Sequence, residues 1–175
     1  CVVLDANLRA DTLAYIADHC HSALCADAVS VKKADRLRPI LHRLSFLKVN
    51  RAEAEVLVGF PVDDMESVSK ASAQLHAMGI PVVAITLGSS GAFLSVGSEA
   101  YALPPMAHDG VNYSGCGDAF FAGILHGLTM QKSTLETLRC GLAMAALSAS
   151  SPCAVSPDVS SEALEQILSD SKEEE

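Results

Sequence analysis

Short apolar runs alternate with amphipathic segments along most of this chain. Runs bounded by turn residues predict buried strands, and apolar positions three and four residues apart predict helices. The predicted strands are 2–4, 24–29, 44–49, 81–86, 92–96 and 99–103. The predicted helices are 11–20, 31–41, 50–58, 67–78, 118–130, 134–148 and 162–168, and we expect the Glu-rich tail after them to fray. This alternation predicts an α/β fold with a mostly parallel sheet, whose ligands bind at the carboxyl ends of the strands.

Composition and charge narrow the function classes. The formal net charge of −9 argues against nonspecific binding to nucleic acid or to anionic membranes. An acidic protein that binds phosphate must therefore supply positive potential locally, from N–H groups, lysines or a metal ion. No apolar run reaches membrane-spanning length, and no signal peptide is recognisable. The six cysteines form no CxxC pair, which favours reduced thiols in a cytoplasmic protein.

The segment NYSGCGD at 112–118 comes directly before a predicted apolar helix. The first N–H groups of a helix have no partner within it and lie at the positive end of its dipole. Glycines there let an anion approach the backbone, because no Cβ intervenes. Asp118 could then accept a proton from a hydroxyl held beside the anion. We therefore weigh a phosphoryl-transfer site at Gly115, Cys116, Gly117 and Asp118 against a tight turn with an ordinary cap.

Two further segments follow predicted strands. Asn50 and Glu53 have the spacing of a capping box, and the alternative is that Glu53 helps to hold magnesium, through water. Both roles of Glu53 are compatible, because the cap would fix the residue that the metal needs. The sequence TLGSSG at 86–91 indicates a glycine-rich turn, or a loop that lines the phosphates and ribose of a nucleotide. It is not a P-loop, because no Gly-Lys-Ser/Thr follows.

Other polar residues carry weaker signals. Lys32 and Lys33 follow a predicted strand, where solvent exposure is the default and a phosphate contact is the minor alternative. The Cys116 thiol lies at a helix start, but no base partner is visible nearby, so packing of a small residue is favoured. The histidines show no paired ligand spacing, which disfavours a zinc site. They are His19, His21, His42, His76, His108 and His126.

Together and in this order, NRAE at 50–53, TLGSSG at 86–91 and NYSGCGDAF at 112–120 resemble motifs of the PfkB/ribokinase family of carbohydrate kinases. These are the NxxE, TLGxxG and GAGD motifs. Within that family, DANL, DAVSVKKA and VNRAEAE, which begin at positions 5, 27 and 49, resemble pseudouridine kinases. The resemblance extends to about residue 157 and maps to the C-terminal half of a complete kinase. Since the chain begins with Cys1 at the start of a predicted strand, with no Met before it, we expect it to be a fragment.

The resemblance implies a ribokinase-like three-layer α/β/α sandwich, present here as its C-terminal portion. It implies that Asp118 deprotonates a sugar 5′-hydroxyl as that hydroxyl attacks the γ-phosphate of ATP. The N–H groups of Gly115, Cys116 and Gly117 would stabilise the transferred charge. Glu53 with Asn50 would organise Mg²⁺. The residues that would shape the nucleotide site are Thr86, Gly88, Ser89 and Gly91.

Two positions depart from the family pattern. Cys116 stands where the family usually has alanine, which keeps the backbone donors and adds a bulkier sulfur. Asn112 stands where many members have aspartate, which weakens the inference of a monovalent-cation site.

The expected function is ATP-dependent phosphoryl transfer to a small sugar or nucleoside, with the pseudouridine 5′-hydroxyl as the favoured acceptor. One alternative is a kinase for ribose or another nucleoside. The other is a noncatalytic nucleotide-binding fragment that lacks the sugar-binding half. We expect residues 1–157 to be the C-terminal part of a PfkB-type kinase domain and 158–175 to be a terminal helix and acidic tail. The complete protein is a candidate homodimer.

Overall fold

The computed structural model describes residues 1–107, 110–153 and 155–173. Its strands are β1 (Val2–Asp5), β2 (Leu24–Asp27), β3 (Leu44–Asn50), β4 (Val82–Thr86), β5 (Ala92–Val96) and β6 (Glu99–Leu103). Its α-helices are α1 (Ala10–His19), α2 (Val31–Ala34), α3 (Arg51–Val58), α4 (Met65–Ala77), α5 (Cys116–Thr129), α6 (Thr134–Ala149) and α7 (Ser161–Glu173). Two 3₁₀ segments cover Asp35–Arg43 and Gly88–Ser90. His108 and the last two residues of the predicted tail lie outside the described residues.

The six strands form one sheet in the order β1-β2-β3-β4-β5-β6, so spatial order follows chain order. Strands β1 to β4 are parallel neighbours. Two register pairs define the edge where ligands of such sheets bind: Asp27 lies opposite Lys48, and Asn50 lies opposite Thr86. The predicted α/β fold with a mostly parallel sheet is confirmed. No helix of the described residues is both long enough and apolar enough to cross a membrane.

The chain divides into two compact units. The first comprises Cys1–Gly88 and Phe93–Ala100, and the second comprises Ser89–Ala92 with the described residues from Tyr101 onward. In the first unit, every residue of β2 is buried, and four of the five residues of β4 are buried. Such strands are covered on both faces, which explains their continuous apolar sequence. The helices contribute Leu13 and Leu75 to the same core.

The connection from β2 to β3 departs from the sequence expectation. Strand β2 ends at Asp27 and not at residue 29, because Val29 has a φ of 63° and cannot continue the ladder. The single helix predicted over 31–41 is the short helix α2 followed by a 3₁₀ segment that contains Pro39. Proline has no N–H for an α-helical hydrogen bond, which accounts for the break. Ser30 directly precedes α2, but its side chain makes no cap hydrogen bond with the described residues.

In the second unit, α5 packs against α6 along its length. Phe120 and Ile124 on α5 reach Gly141 on α6, where a side chain would collide with both. A smaller apolar cluster joins α6 to α7 through Met144 and Leu164. This packing fixes the direction in which α5 begins.

Candidate functional site

Helix α5 begins directly after Gly115, whose φ of 83° lies in the left-handed region. No side chain of the described residues caps this helix, and its first helical hydrogen bond is accepted by Gly115 O at 2.9 Å. The Cys116 N–H is directed at a carbonyl of the preceding turn at 3.4 Å. No hydrogen bond within the described part of the chain uses the N–H groups of Gly117 and Asp118. Two backbone donors at the positive end of the helix dipole are therefore left without a partner among the described residues.

Asn112 holds the loop that leads into α5. Its Oδ1 accepts the Ser114 N–H at 2.9 Å, and its Nδ2 donates to Pro152 O at 3.1 Å. Its own N–H donates to Ala149 O, the last residue of α6, at 3.0 Å. Asn112 O also accepts a weak bond from Cys116 Sγ at 3.7 Å. Asn112 therefore anchors this loop.

Asp118 occupies the third position of α5 and is exposed. Its carboxylate accepts no hydrogen bond from the described residues. A carboxylate in the first turn of a helix is favoured by the dipole. An uncommitted carboxylate beside open N–H groups can accept a proton from a hydroxyl while the N–H groups stabilise an anion. The second unit thus places Gly117 and Asp118 in the first turn of α5, whereas the Cys116 N–H, which the sequence analysis also expected to bind the anion, is directed at Tyr113 O.

Helix α3 begins with the predicted capping box. Asn50 Oδ1 accepts the Glu53 N–H at 2.9 Å, and Glu53 Oε2 accepts the Asn50 N–H at 2.8 Å. A cap of this kind contributes about 1 kcal/mol to stability. Glu53 is only 1% exposed. Burial raises the pKa of its carboxyl, and the negative charge of Asp27 acts in the same direction, while the hydrogen bonds with Asn50 and the positive charge of Lys48 lower that pKa.

A buried ion pair lies at the same edge, and the sequence analysis missed it. Lys48 Nζ donates to Asp27 Oδ2 at 2.8 Å. The two residues are register partners on β2 and β3, and each is 7% exposed. The signal that could have found them is a charged residue inside or at the end of an apolar strand, because such a residue needs a partner when buried.

The loop after β4 divides between the two units. Thr86 ends β4 opposite Asn50, so the first unit brings Thr86, Asn50 and Glu53 to neighbouring strand ends. Gly88 and Ser89 follow and are exposed. In the second unit, Gly91 has a φ of 90°, and a Cβ there would lie 1.9 Å from Leu103 O. Glycine at position 91 is therefore a requirement of the backbone.

The two lysines differ in their surroundings. Lys33 Nζ donates to the Asn7 side chain, and Arg36 donates to Asn7 O at 3.1 Å. Both side chains therefore hold the loop after β1. Lys32 is exposed.

The fit of a metal ion can be judged from the acidic groups. Within the described ranges, no group of three or more His, Cys, Asp or Glu side chains could hold a metal ion. Glu53 could contribute a single oxygen ligand. Its Oε2 accepts the Asn50 N–H, whereas its Oε1 accepts no hydrogen bond from the described residues. Mg²⁺ prefers oxygen ligands and usually binds through one or two carboxylates together with substrate phosphates. The donor set therefore fits a magnesium ion carried by a nucleotide and does not fit a dedicated protein cage.

Comparison with known proteins gives consistent matches. The model of the pfkB family carbohydrate kinases matches residues 1–160. Pseudouridine kinase from Escherichia coli K12 is 29% identical over 161 residues, which are 91% of this chain and 51% of that protein. Ribokinase from Haemophilus influenzae is 34% identical over 109 residues, which are 62% of this chain and 36% of that protein.

The fold also matches solved structures. A carbohydrate kinase from Agrobacterium tumefaciens superposes with a TM-score of 0.77 at 34% identity, over 95% of this chain and 53% of the other. This chain therefore spans about half the length of that kinase and of the E. coli protein. These matches confirm the resemblance that the three sequence motifs indicate.

Proposed function

This chain belongs to the pfkB family of carbohydrate kinases, and from that premise we propose that the whole protein transfers the γ-phosphoryl group of ATP to a sugar or nucleoside hydroxyl. The observation that carries the proposal is the start of α5, where the open N–H groups of Gly117 and Asp118 adjoin an uncommitted carboxylate. We favour the 5′-hydroxyl of pseudouridine as acceptor. The pseudouridine kinase match extends over 91% of this chain, and the ribokinase match over 62%.

In the proposed reaction, Asp118 accepts the proton of the acceptor hydroxyl. The hydroxyl oxygen forms a bond to the γ-phosphorus as the bond between that phosphorus and the β–γ bridging oxygen breaks, so that ADP leaves with the electron pair. The N–H groups of Gly117 and Asp118 donate to the oxygens of the transferred group, with Gly115 and Cys116 shaping the turn that presents them. Positioned donors of this kind usually supply the largest part of such catalysis.

The first unit is proposed to serve the nucleotide and its metal. Glu53, oriented by Asn50, would hold Mg²⁺ through one carboxylate oxygen or through water. The ion would neutralise charge on the β- and γ-phosphates. Thr86 and Gly88 would line the nucleotide beside Asn50. Ser89 and Gly91, which follow in the chain, are also proposed to bind the nucleotide.

A substrate panel tests the proposal. The whole protein, with ATP and Mg²⁺, is assayed for ADP release against pseudouridine, uridine, cytidine and ribose. We expect turnover with pseudouridine and a higher KM or lower kcat with the others. Turnover only with ribose or cytidine would show that pseudouridine is not the acceptor, but it would still support kinase activity.

ATP binding without phosphorylation of any panel member would instead favour a noncatalytic nucleotide-binding module. The assay is run on this chain alone and on the whole protein. Turnover by the whole protein but not by this chain would indicate that this chain lacks part of the acceptor site. We further propose that the whole protein is a cytoplasmic homodimer, which light scattering and cell fractionation would check.

A further inference from the structure

Two cations meet at the loop that follows β1. Lys33 Nζ donates to Asn7 Oδ1. Arg36 Nη1 donates to Ala6 O at 3.0 Å and to Asn7 O at 3.1 Å. Each of these acceptors is the oxygen of a neutral amide, so the bonds hold the two side chains in place without cancelling their positive charges.

Lys33 belongs to no ion pair among the described residues. The four pairs there take other cations, namely Arg9, Arg38, Lys48 and Lys132. Asp5 is the carboxylate of the same loop, but its Oδ1 accepts the Asn7 N–H at 2.8 Å and it is in none of these pairs. In a chain with a net charge of −9, a half-buried ammonium that is held by an amide keeps its charge for an anion from outside the chain.

The loop and Lys33 lie at the edge of the sheet that carries the proposed nucleotide residues, and all of them belong to the first unit. Asp5 ends β1 opposite Asp27, the last residue of β2, and Lys33 is on α2, the helix that follows β2. Strand β2 lies beside β3, which ends at Asn50. Neighbouring strands are about 4.8 Å apart, so the end of β1 is roughly 10 Å from the end of β3. The polyphosphate chain of a nucleotide is long enough to extend from Asn50 to the Lys33 ammonium.

The ammonium of Lys33 has a set position and donors to spare. A lysine ammonium has three donors, and within the described part of the chain Lys33 uses one, toward Asn7. Asn7 is itself fixed, because its N–H donates to Asp5 and its carbonyl accepts from Arg36. A compact charge of this kind binds phosphate as a point charge that donates to the phosphate oxygens.

We propose that Lys33 binds a phosphate oxygen of the nucleotide, and that Asn7 and Arg36 are positioning residues that hold its ammonium at the edge of the sheet. The inference rests on the proposed function, in which the nucleotide lies along this edge. It also gives position 7 a specific requirement. An amide there holds the ammonium and leaves its charge for phosphate, whereas a carboxylate would hold the ammonium and neutralise it.

The test measures the Kd for ATP and the Kd for adenosine by calorimetry, on the whole protein and its variants. Lys33→Met should raise the Kd for ATP roughly 10-fold to 100-fold, the range for the loss of one hydrogen bond to a charged group, and leave the Kd for adenosine unchanged. Lys33→Arg keeps the charge and should retain most of the affinity for ATP. Lys32→Met is the matched control, because Lys32 is the neighbouring exposed lysine, and it should bind ATP as the wild type does.

Asn7→Asp replaces the amide by a carboxylate of the same shape. The new charge would pair with the Lys33 ammonium, so this variant should bind ATP more weakly than the wild type and unfold at the same or a higher urea concentration. If Asn7 serves only to anchor Lys33, the ion pair would anchor it at least as well and ATP binding would not change. Wild-type affinity for ATP in Asn7→Asp therefore overturns the inference.

Two results with Lys33→Met would also contradict the inference. Equal losses of affinity for ATP and for adenosine would show that Lys33 only supports the structure. A loss of affinity for pseudouridine 5′-phosphate without a loss for ATP would place the phosphate on the acceptor and not on the nucleotide. If Lys33→Met does not fold, Lys33→Arg and Asn7→Asp decide. Retained ATP affinity in Lys33→Arg together with weaker ATP binding in Asn7→Asp supports the inference, and any other combination overturns it.

The wild-type protein separates this inference from the function on which it depends. If the wild type neither binds ATP nor phosphorylates any acceptor, the proposed function fails and the inference fails with it. If the wild type phosphorylates an acceptor while Lys33→Met binds ATP with wild-type affinity, the inference about Lys33 alone fails.

Discussion

Helices α3 and α5 both carry an acidic residue at their third position, yet a side chain caps the first turn of α3 and no side chain of the described residues caps that of α5. In α3, Asn50 satisfies the Glu53 N–H, and the Glu53 carboxylate turns back to the Asn50 N–H and is buried. In α5, Gly115 has no side chain to offer, no described residue bonds the N–H groups of Gly117 and Asp118, and Asp118 is exposed. The residue before the helix therefore decides whether a side chain bonds the N–H groups of the first turn or leaves them available, and available N–H groups are the kind that bind anions.

The largest expected effect follows from removing the charge of Asp118. In the whole protein, Asp118→Asn should lower kcat about 10²-fold to 10⁴-fold, because the hydroxyl loses its base, while the Kd for ATP changes little. Steady-state kinetics and calorimetry measure the two quantities. Glu66→Gln is the control, since Glu66 is also an exposed acid in the first turn of a helix. Near-normal turnover in Asp118→Asn would remove Asp118 from the reaction.

The next effect concerns the glycine before α5. Gly115→Ala places a Cβ on a residue with a φ of 83°, which should cost roughly 1–2 kcal/mol of the free energy of unfolding and lower kcat as well. Gly59→Ala is the matched control. Gly59 has a φ of 82°, with open space where its Cβ would stand.

Urea denaturation and initial rates of both variants separate backbone strain from function. We expect Gly59→Ala to lose similar stability and to keep its kcat. Equal kcat values in the two variants would show that the conformation at Gly115 has no particular role in catalysis.

Helix α6, which lies in the second unit together with α5 and is capped by Ser133, gives the third test. Ser133 Oγ accepts the Glu136 N–H at 3.3 Å, and Glu136 Oε2 accepts the Ser133 N–H at 3.0 Å. Ser133→Ala should therefore lower the free energy of unfolding by about 1 kcal/mol and leave kcat unchanged. Chemical denaturation measures this loss. A fall in kcat as large as that of Gly115→Ala would mean that stability of this unit, and not the open turn of α5, limits the rate.

The smallest expected effect is a change in how stability depends on pH. Burial raises the pKa of Glu53 above its ordinary value of 4.5, so the native state retains its proton to a higher pH than the unfolded state does. The stability that Glu53 contributes is thus present at low pH and is lost as the pH rises through the raised pKa. Glu53→Gln should therefore gain stability relative to the wild type along that rise.

Urea midpoints of both proteins between about pH 4 and pH 8 measure that difference. A difference that shrinks with rising pH would mean that interactions with the charged carboxylate outweigh its burial.

The contrast between the two helix starts also explains what the sequence could predict. The capping box of Asn50 and Glu53 is local, so spacing of three residues was sufficient to identify it. The open turn at Gly115 was equally visible, because glycine cannot cap with a side chain. The pair of Asp27 and Lys48 depends on strand register between residues 21 positions apart, which local patterns do not define.

Local sequence patterns also predicted the wrong secondary structure at two positions, where the surrounding backbone decides the conformation. Val29 has a strong strand propensity, yet the hydrogen bond of its N–H to Asp27 ends β2 before it. Pro39 lies within an apolar spacing that predicts an α-helix, but the structure there is 3₁₀. Both residues lie in the connection from β2 to β3, where backbone constraints outweigh the apolar pattern.

The most direct test of the central claim is nuclear magnetic resonance of the whole protein labelled with ¹⁵N-glycine. The ligand is ADP with aluminium fluoride, an analogue of the transferred phosphoryl group, added with Mg²⁺ and pseudouridine. We predict a large downfield shift of the Gly117 amide proton, because an N–H that is open in the free protein would donate to the analogue. The Gly59 amide, already bonded to Glu55 O at 2.8 Å, should not move. A Gly117 resonance that stays in place at saturating ligand would contradict the claim that the start of α5 binds the transferred group.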